Sequence, residues 1–193
     1  MSETQTETTS LVVDEQASTV RLRTFAEGLF AKLAHDLELS CRGIRGTATR
    51  TGEDDRAGTV TIEVPIHRIE VAGTVKDGRV DASGLSPSDR TDCLAKMQKD
   101  VFHTQSRDAV VRVEATLDGG KARLRVCPPN GKEVERIVMI ETRRDGSRVH
   151  AKGKFELSLS AIGSDTVKGP MNAFRVKDHI EVAFDVVFAT PSG

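Results

Sequence analysis

Five histidines, three cysteines and one pair of adjacent aspartates are the residues of this 193-residue chain best able to do chemistry. The histidines are His35, His67, His103, His150 and His179. None sits in an HExxH run or a Cys/His cluster, so the spacing describes no zinc site. His35 precedes Asp36, but neighbours in a strand point to opposite faces, which makes them a poor catalytic dyad. His67, His150 and His179 fall near strand ends or on polar faces, where solvent exposure is expected. His35 and His103 lie beside apolar stretches, Leu33 to Leu37 and Val101-Phe102. At the mouth of a barrel these two could approach one another. Structural hydrogen bonding is the expected role for them, with metal or acid–base work as the alternative.

Cys41, Cys93 and Cys127 show no CxxC spacing, and an odd count gives no closed disulfide framework. Cys41 and Cys93 sit in apolar patterns, where a small buried thiol is the default. Nothing nearby in sequence lowers a thiol pKa. The serines form neither a GxSxG elbow nor an SxxK pair. Asp54 and Asp55 sit in an expected exposed hairpin, where they serve solubility. Dinucleotide and phosphate-loop fingerprints are absent, because the glycines fall in turns between strands. The residues therefore argue against an enzyme, and no catalytic residue or required cofactor is expected.

Composition narrows the partners. Hydrophobic residues make up 37% and charged residues 30%, with a net charge of −1, so no global field draws nucleic acid or anionic membrane. Arg143–Arg144 is too short a basic run to change this. Trp and Tyr are absent, which weakens base or sugar stacking. The N-terminal MSETQTETTS lacks the basic and apolar regions of a secretory signal, and no apolar run is long enough for a transmembrane helix. A cytoplasmic protein is the expectation.

The elements that must position these residues are mostly strands. Residues 1–10 read as a disordered tail and 11–190 as one domain. The first strand is expected at Thr19 to Phe25, then a short helix or turn over Phe25 to Asp36, then Leu37 to Cys41 leading to a bend at Gly43 and Gly46. Val60, Ile62, Val64 and Ile66 alternate with polar residues up to Pro65, which marks an edge or bulge. Ala72 to Leu85 reads as loop. Ser86-Pro87-Ser88-Asp89 is a capping-box start for a helix from about Pro87 to Asp100, with Cys93, Leu94, Met97 and Val101 as its apolar stripe. Strands then follow at Ala109 to Leu117, Ala122 to Val126 and Glu135 to Thr142, separated by Asp-Gly and Asn-Gly turn signals. The clearest period-two pattern is the last, Val149 to Ala161 and Ile180 to Phe188, joined by a wide loop. About eight strands with short connections and one or two short helices predict an all-β antiparallel barrel or sandwich.

An eight-strand barrel is either filled by side chains or holds one small ligand. Its inward parity would include Val20, Leu22, Ile62, Val64, Val111, Val113, Phe155, Leu157, Val182 and Phe184. Such a wall suits an acyl or isoprenoid chain, since each buried methylene is worth about 0.8 kcal/mol. Alternation alone does not separate cavity from core, and an ordinary packed core is the default.

FELSLSAIG and FRVKDHIEVAFDVVFA, with the Gly-containing loop between them, resemble the closing strand–loop–strand of the YceI-like family. Asp14 and Ser18 before a strand, His35, Gly46, TVTIEVPIHRIEV and DCLAKMQKDVFHTQSRDAVVRVEA support the likeness over about Val13 to Ala189. The resemblance implies a lipocalin-like barrel with an apolar tunnel for a polyisoprenoid or quinone-type chain, and no catalytic residues. On this reading the partner is a small amphiphilic lipid, isoprenoid or fatty-acyl, and a homodimer is the candidate assembly. The head group would sit near the mouth, with His35, His103 and Arg175 as candidate contacts. The competing readings are a solid barrel serving protein interaction and a hydrolase-type enzyme using His35 or His103.

Overall fold

In the computed structural model, which describes residues 8–28, 35–51 and 57–191, the expected alternation is realised as one continuous sheet. Strands β1 (Thr8–Val13) and β2 (Thr19–Thr24) are followed by the two-residue β3 (Ala26–Glu27) and by β4 (Asp36–Cys41). Next come β5 (Arg45–Thr51), β6 (Ala57–Pro65), β7 (Ile69–Lys76) and the short β8 (Arg79–Asp81). Helix α1 (Pro87–Lys96) precedes β9 (Val110–Asp118), β10 (Lys121–Cys127), β11 (Val134–Asp145), β12 (Arg148–Ser158), β13 (Arg175–Val176) and β14 (His179–Ala189).

Eight strands close an antiparallel barrel in the order β1–β5–β6–β9–β10–β11–β12–β14, with β14 returning to β1. β14 is the hinge of the topology. One edge pairs with β12 from His179 to Phe188. The other edge is shared: β2 takes Glu181 to Asp185, and β1 takes Phe188 and Ala189. The sheet then runs outward from β2 through β4 and β7 to β8. Among the described residues no ladder joins β7 to β9, and α1 packs against β7 on that side. One half of the barrel is thus closed by hydrogen bonds, and the other is a curved wall covered by a helix.

Local chemistry explains the bends. Pro65 offers no N–H to a ladder, and β6 ends there in a single 3-10 turn, Ile66–Arg68, before β7 resumes. Opposite it the chain turns between β4 and β5 at Gly43, whose φ of +68° favours glycine. The Asp-Gly signals at Asp118 and Asp145 become the tight turns of the β9–β10 and β11–β12 hairpins. Helix α1 starts on the expected capping box: the Ser86 hydroxyl accepts from the Asp89 N–H at 3.1 Å, and the Asp89 carboxylate accepts from the Ser86 N–H at 3.3 Å. Beyond Lys96 the helix widens into a π-type turn over Met97–Val101, closed by the Phe102 N–H on the Met97 carbonyl at 3.2 Å.

Three elements differ from expectation. A strand already runs from Thr8, ahead of the one expected at Thr19, and inside the stretch read as tail. Leu11 is buried and β1 supplies the closing ladder, a tertiary role that a Thr/Ser-rich segment does not advertise. Ala72 to Leu85 is not all loop: β7 continues to Lys76 and β8 pairs back onto it. Gly73 permits this, since a Cβ there would lie 2.4 Å from the Asp81 carbonyl oxygen. Phe25 to Glu27 is extended rather than helical; the remainder of the expected helix or turn, at 29–34, lies outside the described residues, as does the 52–56 hairpin tip with Asp54 and Asp55.

The interior is uneven. In the closed half, Val186, Phe188, Ala122 and Val138 are each under 5% exposed, within clusters that also hold Leu11, Ala48, Val149, Leu124 and Ile140. In the other half Val20, Leu22, Leu37, Val111, Val113 and Phe155 lean on the core but are only half-buried. Inward-facing aliphatic residues remain accessible only where they border empty space.

Candidate functional site

That empty space is a cavity of about 530 Å³. Its volume falls in the range of sites that hold small organic ligands. One wall comes from β2 and β4 through Val20, Leu22, Leu37, Leu39 and Cys41; β14 adds Ile180 and Val182, and β12 adds Phe155 and Leu157. Val64, Ile69, Val111, Val113 and Val126 continue the wall, and Val101 and Phe102 extend it beneath the helix. Helix α1 and its π-type turn cover the side that the strands leave unpaired, through Asp89, Asp92, Cys93, Lys96 and Met97. The long 159–178 connection closes the rim with Val167, Lys168, Gly169, Phe174 and Val176.

A miniature ladder holds this rim. β3 and β13 pair at Arg175↔Glu27 and Val176↔Ala26. The Arg175 guanidinium Nε lies 2.5 Å from the Glu27 carboxylate, and the Ala26 N–H donates to Asp36 at 3.0 Å. Phe25 lines the cavity, stacks at 5.7 Å on His179 and carries the Lys177 ammonium 5.9 Å above its ring. At the end of the connection, Asp178 reaches back to its start, accepting from the Ser158 hydroxyl at 2.6 Å and the Ser160 N–H at 2.8 Å. These bonds hold its carboxyl below the usual carboxylate range.

Of the residues expected to face a ligand, Val20, Leu22, Val64, Val111, Val113, Phe155, Leu157, Val182 and His35 line the cavity. Ile62 and Phe184 point inward but lie in the packed half, in contact with the Val149, Val186 and Phe188 cluster. His103 and Arg175 are outside the lining. The His103 Nε2 donates to the Gly163 carbonyl at 3.0 Å, its Nδ1 is 3.9 Å from Asp165, and its carbonyl accepts from Asn130. It therefore fastens the π-type turn to two loops, while Arg175 is engaged with Glu27. His35 and His103 are not brought together on the cavity wall.

The polar groups that do border the cavity are Thr24, His35, Asp89, Asp92, Lys96 and Lys168. Five of them, all but His35, were not candidates from the sequence. Asp89 reads there only as part of the helix cap, and Thr24, Asp92 and Lys96 carry no pattern of their own. Lys168 lies in a loop with no pattern. The helix stripe at Cys93 and Met97 was the one available signal that this face covers something.

Burial pushes the Cys41 thiol up to about 12. Burial, then the carboxylates of Asp89 and Asp92, raises Cys93 as well. Neither thiol is poised as a thiolate nucleophile. Among the described residues no group of three or more His, Cys, Asp and Glu side chains is placed to hold a metal, and no helix is long and apolar enough to cross a membrane.

No family model matches the chain, and no curated protein matches it by sequence. Solved structures do. BcnA of Burkholderia cenocepacia superposes with a TM-score of 0.61 at 14% identity, covering 91% of this chain and 98% of that one. A polyisoprenoid binding domain from Saccharophagus degradans, implicated in plant cell wall breakdown, gives 0.59 at 10% identity, over 96% and 100%. At such identities the likeness is one of fold, and it runs the whole length of both relatives. The chain adopts a YceI-like β-barrel fold.

Proposed function

We propose that this protein binds the apolar chain of an amphiphilic lipid, isoprenoid, quinone-type or fatty-acyl, in storage, transport or stress protection. The observation that carries the proposal is the 530 Å³ cavity, walled by apolar residues, several of which, such as Val20, Leu22, Leu37, Val111 and Val113, are left only partly buried. Water in such a space has few polar partners, whereas each methylene placed there is worth about 0.8 kcal/mol. The similar fold of a polyisoprenoid binding domain supports the same ligand class. The head group belongs at the polar border, where His35, Lys96 and Lys168 offer donors and Asp89 and Asp92 disfavour a bare anion on their side.

Native mass spectrometry and solvent extraction of the purified protein test this. A bound amphiphile released by organic solvent is expected. Protein that emerges empty and fails to take up an added fatty acid or prenol would overturn the proposal.

A further inference from the structure

Phe155 forms the floor of the cavity and Phe184 backs it. Phe155 lines it and Phe184 does not, and the two rings meet at 6.5 Å between centroids with a 59° tilt. Phe184 seats itself over Gly153, its cross-strand partner. A Cβ at position 153 would fall 2.5 Å from the Phe184 Cζ, so the glycine is what lets the ring lie there. Beyond the floor the barrel is solid: Val149, Val186 and Phe188 are buried against one another. A hollow of about 40 Å³ lies at the far end, bordered by Leu11, Ala48, Val149, Ala151 and Phe188.

We infer that Phe155, backed by Phe184 over Gly153, closes this end of the cavity and sets the length of chain it accepts. This rests on the lipid-binding reading above. Carbons of a chain longer than the cavity stay in water and add nothing to binding.

The test is a series of saturated fatty acids of increasing length, offered to delipidated full-length protein and read by native mass spectrometry. For the wild type, affinity is expected to rise about fourfold per added methylene and then level off once the chain reaches Phe155. Phe184→Ala removes the ring behind Phe155 and lets the floor recede, so its plateau moves to longer chains. Phe184→Leu moves it less, and carries the comparison should Phe184→Ala fail to fold. An affinity that keeps rising past that length in the wild type, or an unmoved plateau in a folded variant, overturns the inference while leaving lipid binding intact. Failure to bind any member of the series overturns lipid binding itself, and this inference with it.

Discussion

Ser18 and Val187, 169 residues apart, share a two-way hydrogen bond in the barrel wall. The Val187 N–H donates to the Ser18 Oγ at 3.0 Å, and the hydroxyl faces the Val187 carbonyl at 3.4 Å. Both residues are buried. They mark the place where β14 leaves β2 and takes up β1, so that neither strand can satisfy Val187. The chain between those strands does so instead, with the Asp14 N–H also donating to the Val187 carbonyl at 2.8 Å.

Ser18→Ala should therefore cost stability. The carbonyl of Val187 keeps Asp14, but its N–H is left buried without a partner, a loss of about 1–3 kcal/mol. Denaturant unfolding measures it. Amide exchange should quicken first at Val187, which is the local signature of this cause. A neutral result in both measurements would mean that water reaches the gap between the two strands.

The cap of helix α1 should govern how the cavity is covered. Ser86→Ala removes the acceptor for the Asp89 N–H and is expected to cost about 1 kcal/mol. The helix has no fully buried residue, so little packing resists its fraying. Exchange of a bound fatty acid should accelerate in the variant, with the barrel amides of β10 and β11 unchanged. Acceleration of all amides together would argue for global loosening instead.

The cysteines report on occupancy and on pH. With Cys41 buried and Cys93 on the cavity wall, alkylation at pH 8 should proceed fastest at Cys127, then Cys93, and barely at Cys41. A lipid in the cavity should protect Cys93 and leave Cys127 unaffected, as peptide mass mapping would show. The Cys41 thiol is raised from 9.0 to about 12 in the folded protein, so it is neutral in both folded and unfolded chains below about pH 9. Above that the unfolded chain ionises first, and the stability due to burying the neutral thiol is lost as pH rises from about 9 towards 12. Cys41→Ala should flatten that part of the stability–pH curve.

The sequence by itself determined which residues face inward. Period-two alternation in 149–161 and 180–188, the turn dipeptides and the Ser86–Asp89 capping box depend on neighbours a few residues away, and they reappear as β12, β14, the hairpins and α1. The tertiary structure decided which stretches of that inward face are packed and which are hollow. Phe184 and Val182 share a parity on one strand, yet Val182 borders the cavity and Phe184 is lodged in the solid half. What separates them is the space between opposing walls, set by β1 closing the barrel at one end and by α1 filling the unpaired side at the other. Those distances arise from residues far apart in the chain. The same distance from sequence hides Asp89, Asp92, Lys96 and Lys168 as border residues, because a charge on a helix or loop looks identical whether it faces solvent or the rim of a cavity.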